Sequence, residues 1–345
     1  MRRLDELLAA EPVRVVALRA AALAVEAHLV GGAVRDALLG RESHDFDLVV
    51  SARGRELAEG VAAETGARFV PLGGKEFASF RVVAARREGD EEPPWELDLW
   101  DREGGSLDAD LARRDFTVNS IALALGPEAA SGVPVDPFGG VADLERRLLR
   151  ATTAASFSDD PLRVLRLPRF LVRFAGFEAE PATVELARRS VPGLASVARE
   201  RVRDELMLLF AGDGAHRGVA SMLGLGVYPS LWLGEPGAPV GGEEEQGAAG
   251  AVGAVGRLSA RAEEVARLAA EAPPVDLPAA RWALTFRPLA APAATAVHQL
   301  EAFRDRGFLT REAAVRVARL VAESGVPVGE RERRRLLHRL GAAWP

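Results

Sequence analysis

The chain has 345 residues, 48% of them hydrophobic and 27% charged, with a formal net charge of −6. That length and balance describe a globular protein with room for two or three domains, and the acidic total argues against an indiscriminate nucleic-acid binder. The absence of cysteine excludes disulfides, thiolate catalysis and Cys-ligated zinc.

No apolar run reaches the length of a membrane span, and acids interrupt MRRLDELLAAEPVRVV where a signal peptide needs an apolar stretch. The sequence therefore predicts a cytoplasmic protein with no membrane partner. Lys75 is the single lysine. A compositional bias toward Ala, Gly and Arg accounts for that at least as well as a functional preference for guanidinium.

Residues 1–27 predict an N-terminal helical segment, with Leu4, Leu7, Leu8 and then Val15 and Val16 at helical spacing. From residue 28 the pattern changes to short runs of strand character: HLV, FDLVV, ARFV, FASFRVVAA, WELDLW and SIALAL. Helical stretches AVRDALLG and ARGRELAEGVAAETG lie between them, so residues 28–140 read as an α+β domain with a mixed sheet and helices. Strands are expected to stop after DPFGG at 136–140. Residues 141–215 read as helical, and so do residues 216–345 apart from the Gly-, Ala- and Glu-rich stretch 234–256, a predicted flexible linker.

The chemistry gathers in LVGGAVRDALLGRESHDFDLVV, residues 29–50. Side chains alternate across a strand, so Asp45 and Asp47 share one face, a costly arrangement unless a cation sits between them. An Asp-x-Asp is also compatible with a surface accident or a calcium site. Upstream, Gly31 and Gly32 close a strand and open a helix, offering backbone N–H groups to an anion, with Arg35 in the first turn. An anion cradle beside an all-oxygen cation site suits Mg²⁺ shared with phosphate. Asp98 in ELDLW supplies a third carboxylate for a two-metal site, with an edge-strand charge as its alternative.

Further on, Asp160, Arg163, Arg166 and Arg169 recur every three residues in DPLRVLRLPR, behind a Ser158, Asp159 or Asp160 cap and Pro161 in the first turn. A solvated, salt-bridged helix face is the ordinary account of that ladder.

These stretches resemble, in order, the five motifs of the class II tRNA nucleotidyltransferase and bacterial poly(A) polymerase family, within the polymerase-β superfamily. LVGGAVRDALLGR with DFDLVV resembles the first motif and SLDADLARRDFTVNSIALAL the second, with Asn119-Ser120 where Asn-Ala is usual. DPFGGVADLERRLLR, FSDDPLRVLRLPRFLVRF and RERVRDELMLLF resemble the third to fifth, the fourth starting Asp159-Asp160 where Glu-Asp is usual.

The resemblance implies a polymerase-β-like nucleotidyltransferase head followed by an all-α neck, body and tail. It implies that Asp45, Asp47 and Asp98 bind Mg²⁺ and that Gly31, Gly32, Arg35 and Arg114 contact the nucleotide. Asp160 and Arg163 would read the base edge, with Arg166 and Arg169 offsetting triphosphate charge. The implied activity is template-independent addition of C, C and A, from CTP and ATP, to the 3′ end of tRNA. Relatives adding only A, only CC, or a poly(A) tail are the first alternative.

A non-catalytic RNA-binding protein on the same fold and a haloacid-type phosphatase are the rivals from other classes. Residues 72–94 are the expected flexible element for switching between CTP and ATP. Residues 301–345, with ten arginines against six acids, are the expected tRNA contact, weighed against a plain solvated helix.

Overall fold

The computed structural model describes residues 2–72, 79–84, 94–102, 105–126, 132–211 and 215–227. The chain divides into two compact units, Met1–Ser156 and Phe157–Pro345. The linker expected at 234–256 and the basic stretch 301–345 lie outside the described residues, as do 73–78 and 85–93 of the expected flexible element.

The first unit opens with α1 (Arg2–Ala9) and α2 (Glu11–Leu23). A left-handed Ala24 ends α2, and Val13, Val15, Val16 and Ala20 bury its inner side. Six strands follow: β1 (Ala27–Val30), β2 (Asp45–Val50), β3 (Arg68–Leu72), β4 (Ser79–Val83), β5 (Glu96–Asp101) and β6 (Ala122–Leu125). Their order across the sheet is β3-β4-β5-β2-β1-β6. Only β2 and β5 run parallel; the other neighbours are antiparallel.

Between β1 and β2 lies α3 (Gly32–Leu38), and between β2 and β3 lies α4 (Gly54–Thr65). On one side of the central strands, Phe46, Leu48, Leu97 and Leu99 are buried. Gly54, at the start of α4, has no room for a Cβ against Leu99, so the helix start sits directly on β5. Asp101 accepts the Gly54 amide at 2.8 Å and thereby caps α4 from the neighbouring strand.

The opposite side of the sheet is partly covered by α5 (Leu107–Ala112). Leu107 and Leu111 pack with Val30, Val49 and Ala122, flanked by Trp100, Val135 and Phe138. Ser106 caps α5 by accepting the Ala109 amide.

A 3₁₀ turn (Thr117–Asn119) leads into β6, and α6 (Gly140–Arg146) follows the DPFGG stretch. Asp136 accepts the amides of Gly140 at 2.7 Å and Val141 at 2.8 Å. A Cβ on Gly140 would collide with the Thr117 carbonyl, so glycine is what lets α6 meet the 3₁₀ turn. Asp136→Ala, which strands two buried-end amides, is expected to cost about 1–2 kcal/mol of stability, readable by urea denaturation.

The sheet matches the six runs of strand character, and the strands do not quite stop where expected. Leu148–Leu149 and Glu178–Ala179 form two-residue strands, β7 and β8, too short to leave an alternating pattern in the sequence.

Among its described residues the second unit is mainly helical: it begins within α7 (Ser156–Asp159), followed by α8 (Arg163–Arg173), α9 (Pro181–Ser190), a 3₁₀ stretch (Val191–Ser196), α10 (Arg199–Ala211) and α11 (Ala215–Leu225). Against α8 pack α9, α10 and α11. Its buried side carries Val164, Leu165, Leu167, Phe170 and Val172. Pro168 is accommodated inside the helix. Among the described residues no helix is long and apolar enough to cross a membrane.

Candidate active site: an acid face beside a glycine turn

Strand alternation puts Asp45 and Asp47 on the side of β2 opposite Phe46 and Leu48. The parallel pairing with β5 then sets Asp45 opposite Glu96 and Asp47 opposite Asp98. Four carboxylates therefore form a block on two neighbouring strands about 4.8 Å apart. Extended across the sheet, the Asp47 row runs Ala122, Val30, Asp47, Asp98, Arg81, Val70. An apolar wall stands on the β1–β6 side of the acids, and an arginine on the β4 side.

Arg81 forks onto Asp98, Nε to Oδ1 at 2.8 Å and Nη2 to Oδ2 at 2.7 Å, while Nη1 lies 2.6 Å from Glu96 Oε1. The hydrogen bond to Asp98, with the fields of Asp98, Glu96 and Asp45, holds its guanidinium above the ordinary arginine range. Sequence reasoning singled out Asp98 and missed both neighbours. Glu96 carries the same period-two signal in ELDL, whereas Arg81 becomes visible only once β4 is known to flank β5.

Glycine at 31 has a specific cause. Its φ of +74° and ψ of −122° suit only glycine, and a Cβ there would run into Arg114 Nη1. Its amide donates to the Ile121 carbonyl at 3.0 Å, so that N–H serves the β1–β6 end of the sheet. Arg114 lies over the Trp100 ring at 5.7 Å and reaches Asp110 at 3.3 Å; Asp110 also accepts the Trp100 indole N–H at 3.1 Å. Arg114, the second arginine of RRDF, thus lies between Gly31 and the Trp100 ring of the strand that bears Asp98.

Arg35 is placed differently from an arginine open to an anion. It is 4% exposed, its Nε and Nη2 each donate to Asp36 at 2.8 Å, and Nη1 donates to Asn119. Asn119 in turn donates to Asp115, whose carboxylate also accepts the Phe116 amide. This buried brace ties α3 to the 3₁₀ turn before β6. The sequence signal for Asp36, Asp115 and Asn119 was only their place inside the first two motifs.

In the second unit, Asp160 accepts the Leu162 amide at 3.2 Å, and bonds from the Arg163, Val164 and Leu165 amides to carbonyls three residues back wind a tight turn into α8. The aspartate serves the turn without being the formal cap. Its Oδ2 receives Arg201 of α10 at 2.9 Å. Arg166 and Arg169 lie over the Phe170 ring, and Arg169 also pairs with the largely buried Glu205 of α10 at 2.6 Å. The expected ladder is therefore partly a set of links between helices, made by residues of the fourth and fifth motifs.

Among the described residues no ready-made cluster of three metal-ligating side chains occurs. The donor set nevertheless fits a hard cation: all four side chains are carboxylates, on one face, at half-buried or exposed positions.

The six-stranded sheet, with its acid face and its glycine turn, is a head domain of the poly(A) polymerase kind. Residues 27–150 match the "Poly A polymerase head domain" family, and residues 176–232 match the family described as "Probable RNA and SrmB- binding site of polymerase A". A CC-adding tRNA nucleotidyltransferase of Geobacter sulfurreducens is 38% identical over 249 residues, 72% of this chain and 53% of that protein. Another, from a Synechocystis species, is 40% identical over 200 residues, 57% of this chain and 44% of that one. The chain belongs to the class II CCA-adding enzyme and poly(A) polymerase family.

It spans about half the length of the curated relatives it matches. Among solved structures, the Thermotoga maritima CCA-adding enzyme complexed with tRNA aligns with a TM-score of 0.70 at 24% identity, over 99% of this chain and 79% of that one. At that identity the likeness concerns the fold.

Proposed function

We propose that the protein is a template-independent nucleotidyltransferase that extends the 3′ end of tRNA with C, C and A from CTP and ATP. The block of carboxylates on β2 and β5, in a chain of this family, is the observation that carries the reading. Asp45, Asp47 and Asp98 would hold Mg²⁺, which when bound supplies Lewis acidity toward the attacking 3′-hydroxyl and offsets charge on the departing pyrophosphate.

The chain's own residues do the remaining work. Arg114, backed by Gly31 and Trp100, meets the triphosphate or sugar. Leu107 and Leu111 keep the β1–β6 side of the acids dry, which strengthens every charge interaction beside them. Gly32 adds the helix start at α3, and Arg35 reaches an anion only by exchanging Asp36 or Asn119. Arg166 and Arg169 add positive charge along α8. The reaction belongs in the cytoplasm.

In the second unit, Asp160 accepts from the exocyclic amine shared by cytosine and adenine, and Arg163 donates to the adjacent ring acceptor; guanine and uracil lack that pattern. Arg201 donates to Asp160 Oδ2 at 2.9 Å and so fixes where the carboxylate lies. Asp160→Ala is expected to lower the preference for CTP over UTP by about 10- to 100-fold, the worth of one charged hydrogen bond. Competitive single-nucleotide incorporation measures it, and unaltered selectivity would remove the base-reading role.

Addition of CC alone is the second reading, favoured by the activity named for the Geobacter and Synechocystis relatives. Both are tested with purified protein, Mg²⁺ and tRNAs ending before CCA, after C and after CC, each given CTP, ATP or both, with the 3′ ends sequenced. Completion of all three to CCA supports the first reading. Extension stopping at CC supports the second, and no incorporation overturns both.

A further inference from the structure

Arg81 is absent from every motif that the sequence resembles, yet it stands at the β4 edge of the acid face, directly against Asp98. Its two bonds to Asp98 occupy both carboxylate oxygens with the fork geometry specific to guanidinium, and its third nitrogen bridges to Glu96. The Arg81, Asp98 and Glu96 side chains are 35%, 28% and 33% exposed, so the arrangement is reachable by solvent ions without being a loose surface pair. Cross-strand register explains why no other β4 residue can take this place. Arg81 lies directly opposite Asp98, whereas Ser79 and Val83, the next residues on that face, lie opposite Trp100 and Glu96.

A cation that takes an oxygen of Asp98 either displaces an Arg81 hydrogen bond or shares an oxygen that already accepts one, and it must approach a fixed positive charge. Both effects weaken its binding. Conversely, without Arg81 the carboxylates Asp47, Asp98 and Glu96 would face one another with that positive charge removed.

We infer that Arg81 is a positioning residue that competes with a divalent cation for Asp98 and so sets the affinity of the acid face for that cation. The inference rests on the reading of Asp45, Asp47 and Asp98 as the cation site. Binding at this face is thereby kept weak unless a nucleotide's phosphates add ligands of their own, which favours arrival of cation and nucleotide together.

The test is a titration of the full chain with Mn²⁺ in the absence of nucleotide, following free Mn²⁺ by electron paramagnetic resonance. Arg81→Gln is expected to tighten binding about tenfold, from loss of one neighbouring positive charge and of the fork on Asp98. Arg81→Lys keeps the charge and loses the fork, and is expected to tighten it about threefold; this variant serves if Arg81→Gln does not fold. A residue that only supports the fold would leave the affinity unchanged or weaken it, and either result in a folded variant overturns the inference. Asp47→Asn, run in parallel, separates the two levels. If it abolishes Mn²⁺ binding while the Arg81 variants behave as the parent, only the role of Arg81 falls. If it leaves Mn²⁺ binding intact, the cation site itself is misplaced and the inference falls with it.

Discussion

Asp47→Asn is expected to lower nucleotidyl transfer at least about 1000-fold while leaving the protein folded. The loss corresponds to roughly 4 kcal/mol of transition-state stabilisation, the scale of charge compensation at a metal-assisted phosphoryl transfer. The fold should survive because Asp47 contributes nothing to the apolar side of β2, where Phe46 and Leu48 bury their side chains. Asparagine also keeps the shape and removes one negative charge from a block of four. Primer-extension rates with saturating CTP, read beside the unfolding midpoint, decide the matter. Activity within tenfold of the parent would take Asp47 out of the catalytic set.

Gly31→Ala is expected to act on stability and function together. A Cβ in this backbone conformation costs about 1–3 kcal/mol, and the same atom would strike the Arg114 guanidinium. Arg114 can escape only by leaving the cradle of Gly31, Trp100 and Asp110. The unfolding midpoint in urea should fall accordingly, and nucleotide affinity should drop about tenfold or more at temperatures where the variant is still folded. A variant with lowered stability and unchanged affinity would separate the glycine's backbone role from any role of Arg114 in nucleotide binding.

Both predictions concern residues visible in the amino-acid sequence, though for unequal reasons. Asp45, Asp47 and Asp98 follow from period two alone, since alternation with Phe46, Leu97 and Leu99 fixes which face each occupies whatever the sheet does next. Gly31 was legible as a turn glycine, but the side chain that a Cβ there would strike belongs to Arg114, 83 positions away. The helices read well for the same local reason: α4 carries its apolar side and its left-handed closing Gly66 in its own residues, although its start is capped by Asp101 from β5.

Local pattern fails where a charged side chain's partner comes from another element. Arg35, Arg163, Arg166 and Arg169 look alike in sequence, as cations at helical positions. Tertiary structure distinguishes them, burying Arg35 against Asp36 and Asn119 and pairing Arg169 with Glu205. The fifth motif gains a physical content the sequence did not disclose: Arg201 and Glu205, one turn apart on α10, reach Asp160 and Arg169 respectively.

By itself, then, the sequence determined the six strands of the main sheet, most of the helices, the face of each strand on which its acids lie and the glycines that turn the chain beside them, because each is a consequence of backbone geometry repeating over two to four residues. Only the tertiary structure decided that β5 lies parallel beside β2, that Glu96 completes the acid block, and that Arg81 forks onto Asp98. Those are matters of cross-strand register, set by packing of the whole sheet against its helices, and no short window of residues contains them.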